Sequence, residues 1–174
     1  MSDTEYLALP TDDLSRMLVT ARPEEPPHLG VAGDTYTILL RGEDTAGRYC
    51  LIDMHVPPGG GPPPHRHDFE ETFTLLEGEL DFTFRGKKMT AKAGETVHIP
   101  ANAPHMFHNG SADAARMLCI CGPAGQEGFF EEVGVRVGTR TDPPPKPDEA
   151  AAEELKKKAF ALATKYKTEF LKEA

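Results

Sequence analysis

Two histidines separated by one residue and followed closely by a carboxylate are the feature that most constrains this chain. They are His65, His67 and Glu71, within the segment 59–78, GGGPPPHRHDFEETFTLLEG. Residues two apart on an extended strand share a face, so both imidazoles leave the same side while Arg66 points away. Imidazole nitrogens and a carboxylate oxygen that converge on one point favour a divalent transition metal.

A second segment supplies a fourth candidate ligand. The stretch 94–109, GETVHIPANAPHMFHN, places His105 directly after a turn that contains prolines. Alternation along a strand that starts at His105 sends Phe107 to the same side and Met106 and His108 to the other. The pattern therefore predicts His105 as a ligand and disfavours His108.

The carboxylate ligand is one of two neighbours, Glu70 and Glu71. Glu71 is preferred because it alternates with Phe73 and Leu75, which would face the interior of a barrel, whereas Glu70 would meet solvent. Glu70 stays open as the alternative.

The composition disfavours several classes of function. The chain has 174 residues and a formal net charge of −9, which disfavours binding to a nucleic-acid backbone. No run approaches the roughly 18 apolar residues of a membrane span, and MSDTEYLALP at the N-terminus lacks the basic and apolar regions of a signal peptide. We predict that Cys50, Cys119 and Cys121 are reduced, the last two as core residues on one strand face. We therefore expect a cytoplasmic protein with no nucleic-acid and no membrane partner.

Periodicity and proline content divide the chain into three regions. Residues 1–30 are predicted to form an N-terminal arm that packs on the body or on a partner subunit. One short helix is expected in it, with Thr11 or Asp12 as N-cap. The apolar positions of that helix and the prolines that end it are Leu14, Met17, Leu18, Pro23, Pro26 and Pro27.

The second region, 31–138, is predicted to be a single barrel. Short alternating segments bounded by glycine and proline recur along it, which is typical of an all-β sandwich or barrel. His55 and His98 fall within such segments, and we interpret both as strand histidines rather than ligands. The segments are 35–40, 48–56, 79–84 and 115–125, with a hairpin turn at 85–88.

The third region, 139–174, begins with a proline-rich linker over 140–149. An amphipathic helix is predicted over about 149–172, with Asp148 as its N-cap and a broad apolar stripe. This helix would pack on the barrel or on a second subunit, and together with the arm it leads us to expect a homodimer.

At these residues the chain resembles the cupin superfamily. The first cupin motif, G-x5-H-x-H-x3-E-x6-G, is met by Gly59, His65, His67, Glu71 and Gly78. The second, G-x5-P-x-G-x2-H-x3-N, is met by Gly94, Pro100, His105 and Asn109, with Asn102 in place of the usual glycine. Asparagine tolerates the left-handed backbone conformation, so we expect the turn to be kept. Four further stretches are similar to single-domain, quercetin 2,3-dioxygenase-like cupins: 41–49, 57–67, 99–109 and 123–134.

The resemblance implies a double-stranded β-helix, or jelly-roll, that binds one metal ion through His65, His67, Glu71 and His105. That ion would be Mn, Fe, Co, Ni or Zn, with no organic cofactor. The implied function is a dioxygenase that cleaves a flavonol-like substrate with O2, and our hypothesis adds Glu71 as the catalytic base. The alternatives are a non-catalytic metal-binding cupin that binds or senses a small ligand, and a metal-dependent isomerase or decarboxylase. The candidate pocket walls are Phe69, Phe73, Phe82, Met106, Phe107, Phe129 and Phe130.

Overall fold

The computed structural model describes residues 9–22, 24–25 and 27–172, and its strands form two antiparallel sheets that share one hydrophobic core. This confirms the all-β barrel that the alternating segments predict. The strands are β1 His28–Val31, β2 Asp34–Leu40, β3 Cys50–Val56, β4 His65–His67, β5 Glu70–Glu77, β6 Glu79–Phe84, β7 Lys87–Lys92, β8 Thr96–Ile99, β9 His105–His108, β10 Ala115–Gly122, β11 Val135–Val137 and β12 Thr168–Phe170.

The larger sheet has seven strands in the order β11-β1-β2-β3-β10-β5-β8, and the smaller has five in the order β12-β4-β9-β6-β7. Neighbours that are distant in sequence pair in both sheets, as β10 does with β3 and with β5. The two motif segments are brought together in this way, because β4 and β9 are neighbours in the smaller sheet.

The core lies between the two sheets and is built by the inward half of each alternating strand. In β10 every second residue from Ala115 to Cys121 is buried, and β3 and β5 repeat the pattern with Ile52 and Phe73. Full burial of one large apolar side chain contributes roughly 1.5–3 kcal/mol. Strand alternation is thus sufficient to define this interior.

The glycine-rich loop before β4 lies directly against β9. Gly61 has φ +127°, and a Cβ at this position would lie 2.2 Å from the carbonyl oxygen of Phe107. Only glycine combines this backbone conformation with so close an approach. The loop therefore delivers the chain into β4 next to the strand that carries the second motif.

The C-terminal helix is shorter than predicted. Helix α2, Glu149–Ala163, begins as expected after Asp148, whose side chain accepts a hydrogen bond from the backbone N–H of Ala151 at 2.9 Å. It ends at Ala163 rather than near residue 172, and a short 3-10 turn follows. Lys167 then takes a left-handed conformation, and the chain becomes β12, which pairs with β4. The free edge of β4 offers backbone partners that a continuing helix could not use.

The predicted N-terminal helix is wrong. Around Asp13 the chain forms an isolated turn, in which the carboxylate accepts the backbone N–H and the hydroxyl of Ser15. Leu14, Met17 and Leu18 are 84%, 80% and 93% exposed, so an apolar helix face would have nothing to pack against. Pro23 and Pro26 lie outside the described residues.

Strand β1 and helix α1, Gln126–Val133, are among the elements that were not predicted. Strand β1 lies in the region predicted as the arm, and helix α1 follows the last long strand of the barrel. Phe129 and Phe130 of α1 are buried in the core cluster, and Phe130 contacts Tyr36 edge to face at 4.8 Å. Within the described residues, neither helix has the length and apolar character that a membrane crossing requires.

Candidate metal centre

Side chains from both sheets meet at one point inside the barrel. His65 and His67 lie on β4 and His105 lies opposite His65 on β9, all in the smaller sheet. Glu71 reaches the same point from β5 of the larger sheet. The alternation that placed both β4 histidines on one face is observed, since Arg66 between them is exposed.

The four side chains are close together and withdrawn from solvent. Their ligand atoms all lie within 4.8 Å of one another. The Nε2 atom of His67 is 3.1 Å from Oε2 of Glu71, and the Nε2 atom of His105 is 3.2 Å from the same oxygen. His65 is 9% exposed and the other three are 3–4% exposed.

The orientation of the three rings is fixed by the main chain. The Nδ1 atoms of His65, His67 and His105 each lie 2.9 Å from a backbone carbonyl oxygen, those of Pro63, Phe69 and Ala103 respectively. A carbonyl oxygen only accepts hydrogen bonds, so each Nδ1 must carry the proton. In a neutral ring Nε2 then has the free lone pair, and all three Nε2 atoms turn toward the carboxylate. This is the arrangement that a metal-binding histidine shows.

The electrostatics of the cluster require a positive charge at its centre. Burial lowers the pKa of His65 to about 4, with the neighbouring His105 as a further cause, so this ring is neutral at pH 7. Burial alone would raise the pKa of Glu71, but a proton on Nε2 of His105 and of His67, each within hydrogen-bond distance of Oε2, outweighs it and holds the pKa of that carboxyl well below its usual range. An anionic carboxylate facing three imidazole nitrogens needs a cation between them, which protons or a metal ion can supply.

The donor set fits a first-row divalent metal. Three imidazole nitrogens and one carboxylate oxygen suit Mn, Fe, Co, Ni or Zn, and they leave positions for further ligands in an octahedral shell. His65, His67, His105 and Glu71 are the residues that would hold the ion.

One phenylalanine contacts the cluster, and the others lie elsewhere in the core. Phe69 stacks on His67 with ring centroids 3.8 Å apart and planes 2° apart. Phe73, Phe82 and Phe107 form a mutual contact with centroids 5.6–6.1 Å apart. Six of the seven predicted pocket residues are buried, whereas Met106 is half-buried on the opposite face of β9.

The other candidates lie away from the cluster. Glu70 is exposed and pairs with His98 at 3.0 Å on the outer surface. His55 lies on the outer face of β3, and His108 is exposed at the end of β9. The preference for Glu71 over Glu70 agrees with this placement.

The sequence did not identify two residues as neighbours of the site. Cys119 and Cys121 are fully buried and free, and they were predicted only as core residues. Their Sγ atoms lie 3.3 and 3.6 Å from Oε1 of Glu71 and 3.5 Å from each other. The signal that could have found them is register, because Cys121 lies directly opposite Glu71 in the β5–β10 pair.

Two motif asparagines support the site from the loops. Asn102 has φ 65°, so the left-handed turn expected at this position is confirmed. Its backbone N–H donates to the carbonyl oxygen of His67 at 2.6 Å. Asn109 is fully buried and donates through Nδ2 to the carbonyl oxygens of Val56 and Asp113, both at 2.9 Å.

Known proteins are similar to this chain over the barrel. Residues 52–121 match the model of the Cupin domain family. A quercetin 2,3-dioxygenase of Bacillus subtilis (strain 168) is 27% identical over 100 residues, 57% of this chain but only 29% of that protein's length. The HTH-type transcriptional regulator PuuR of Escherichia coli (strain K12) is 26% identical over 106 residues, 56% of this chain and 57% of the regulator.

A solved structure shows the same fold. A predicted oxalate decarboxylase from Thermotoga maritima superposes with a TM-score of 0.57 at 22% identity, over 60% of this chain and 99% of that one. The barrel accordingly has the cupin fold, and residues 52–121 are the part of it that matches the Cupin domain family.

Proposed function

We propose, with the cupin domain as the premise, that this protein is a metal-dependent oxygenase acting on a small phenolic or enol substrate. The observation that carries the metal is the set of three Nε2 lone pairs gathered around one carboxylate oxygen inside the barrel. The substrate class is supported by the phenylalanine that stacks on His67 and by the similarity to a quercetin 2,3-dioxygenase.

Each residue of the cluster has a role in this proposal. His65, His67 and His105 would hold the ion through Nε2, and Glu71 would complete the set. When bound, a first-row metal ion would supply Lewis acidity and orient the substrate. Glu71 also accepts the proton of the substrate hydroxyl as a general base. Phe69, stacked on His67, keeps water away from one side of the site.

The metal centre is tested first. Purified protein loaded with Mn, Fe, Co, Ni or Zn should bind one ion per chain, and His105→Ala should lose that ion. His98→Ala is the matched control, because His98 is an exposed strand histidine and the variant should bind as the wild type does. Equal binding by wild type and His105→Ala would contradict the proposed centre.

The reaction is tested by oxygen consumption with flavonols and diketones. We expect uptake with at least one metal, and a loss of roughly 100-fold or more in turnover for Glu71→Gln, measured per bound ion. Full turnover in Glu71→Gln would refute the base role. An absence of uptake under every metal loading would refute the oxygenase.

A non-catalytic role is the second candidate, favoured by the similarity to PuuR. The match to this regulator is as long as the match to the dioxygenase and nearly as identical. In this case the metal-bearing barrel binds a small ligand without converting it. Ligand-induced thermal stabilisation of the metal-loaded protein, with no loss of oxygen or change in the ligand, would support this role over the first.

A further inference from the structure

The two oxygens of Glu71 face different groups. Oε2 lies toward the Nε2 atoms of His67 and His105, whereas Oε1 lies toward the sulfur atoms of Cys119 and Cys121. The carboxylate is therefore placed between a nitrogen cluster on the smaller sheet and a thiol pair on the larger sheet.

The distances on the sulfur side are those of hydrogen bonds. Cys119 Sγ is 3.3 Å from Oε1, and Cys121 Sγ is 3.6 Å from the same oxygen. Because the two sulfurs are 3.5 Å apart, the proton of Cys121 can go to Oε1 or to Cys119. The shorter distance makes Cys119 the principal donor and Cys121 its support.

A donor at this position is needed. Both thiols and the carboxylate are almost fully buried, so water cannot satisfy Oε1. A buried carboxylate oxygen without a donor costs several kcal/mol. The strand register fixes the donors in place, since β10 pairs with β5 without interruption from Met117 to Gly122.

We propose that Cys119 is a positioning residue of the metal centre, a role that rests on the metal function proposed above. Its thiol hydrogen-bonds Oε1 of Glu71, and this leaves Oε2 as the single oxygen turned toward the three Nε2 atoms. The carboxylate then binds the ion through one oxygen rather than two, and one more coordination position stays open for substrate.

The competing arrangement is that the sulfurs themselves bind a metal. The ligand atoms of Glu71, Cys119 and Cys121 also lie within 4.8 Å of one another. Sulfur bound to Co2+ gives an intense charge-transfer absorption in the near ultraviolet, whereas a thiol that only donates a hydrogen bond gives none. The two arrangements are thus distinguished by one spectrum.

The experiment compares Cys119→Ala, Cys119→Ser and Met117→Ala, each loaded with Co2+. Cys119→Ala should weaken Co2+ affinity roughly 10- to 100-fold, as loss of a partner of a metal ligand does. It should also alter the visible Co2+ spectrum, because the carboxylate is free to bind through both oxygens. Cys119→Ser keeps a donor and should restore both affinity and spectrum. Met117→Ala is the control for a buried cavity on the same strand, since Met117 is fully buried but lies opposite Leu75 rather than Glu71, and it should match the wild type in affinity and spectrum.

A second readout needs no metal. The infrared S–H stretch of Cys119 should lie at lower wavenumber than that of a free thiol, and it should rise in Glu71→Ala. This keeps the inference testable where a variant loses metal by unfolding.

Three results would overturn the inference. A Cys119→Ala protein with unchanged affinity and spectrum leaves the metal centre intact but removes the positioning role. A sulfur-to-cobalt band that disappears in Cys119→Ala makes the cysteine a ligand instead. A wild-type protein that binds no ion refutes the proposed function and this role together, while an unshifted S–H band refutes the hydrogen bond alone.

Discussion

The barrel interior and the C-terminal segment are stabilised in different ways. Interior positions such as Phe82, 1% exposed, are surrounded on all sides by strands of both sheets. In α2 only Ala163 is buried, and Phe160 on the same helix is 52% exposed. The C-terminal segment is held instead by aromatic contacts and by the pairing of β12 with β4. Stability therefore resides in the barrel, whereas the segment acts on the strand that carries two of the candidate ligands.

The largest contrast comes from the same substitution in the two regions. Phe82→Ala should lower the free energy of unfolding by about 3–5 kcal/mol, because it opens a cavity in a packed core. Phe160→Ala should lower it by less than about 1 kcal/mol, since most of that ring is in water. Urea denaturation of both variants measures the difference. Equal losses would show that α2 belongs to the cooperative core.

A second contrast is that a buried group in the barrel makes the free energy of unfolding depend on pH. Asp34 on β2 is buried, and burial raises its pKa to about 7 even though the hydroxyl of Tyr36 donates to its Oδ2. The folded state thus binds this proton more tightly than the unfolded chain, whose aspartate ionises near 3.8. Its stabilising contribution is full below pH 4 and is lost as the pH rises through 7.

Asp34→Asn should remove this dependence. Between pH 5 and pH 8 the wild type should lose roughly 2–3 kcal/mol of unfolding free energy that the variant keeps. Chemical denaturation at both pH values measures it, and Asp113→Asn, the same change at an exposed site, should follow the wild type. Parallel pH profiles of the wild type and Asp34→Asn would contradict the assignment.

A smaller effect on stability than that of Phe82→Ala, with a separate effect on the site, is expected at Phe170. Its ring is 4.8 Å from that of Phe160 and 6.4 Å from that of Phe129, and it lies opposite His65 in the β4–β12 pair. Phe170→Ala should cost about 1–2 kcal/mol. Phe170→Ala should also weaken metal binding, whereas Phe160→Ala, which leaves the barrel unchanged, should not. Titration of both variants with Co2+ decides whether β12 supports the ligand strand.

The parts of the molecule that sequence could predict are those fixed by local periodicity. Alternation along β3 and β10 indicated which side chains face inward, and His65 and His67 followed the same rule. The Cys119 contact with Glu71 was beyond reach, because it depends on the register between two strands distant in sequence.

The C-terminal region shows the limit of helical periodicity. An apolar repeat continues to Tyr166 and beyond, yet the helix stops at Ala163. The chain after the helix pairs with the edge of β4 instead of continuing the helix, and the local sequence does not indicate this pairing. The helix predicted in the N-terminal arm is absent for a related reason. An apolar repeat that has no surface to pack against does not form a stable helix.

The hydrogen bonds that orient the three imidazoles affect which substitutions this protein can accept during evolution. Every acceptor of an Nδ1 proton is a peptide oxygen, and each residue keeps this oxygen whatever its side chain becomes. Replacement of Pro63, Phe69 or Ala103 therefore cannot delete the acceptor, and only a shift of the chain path can. Mutation at these positions therefore leaves the ring tautomers unchanged. The residues around the ion can then change to suit new substrates while its nitrogen ligands stay the same.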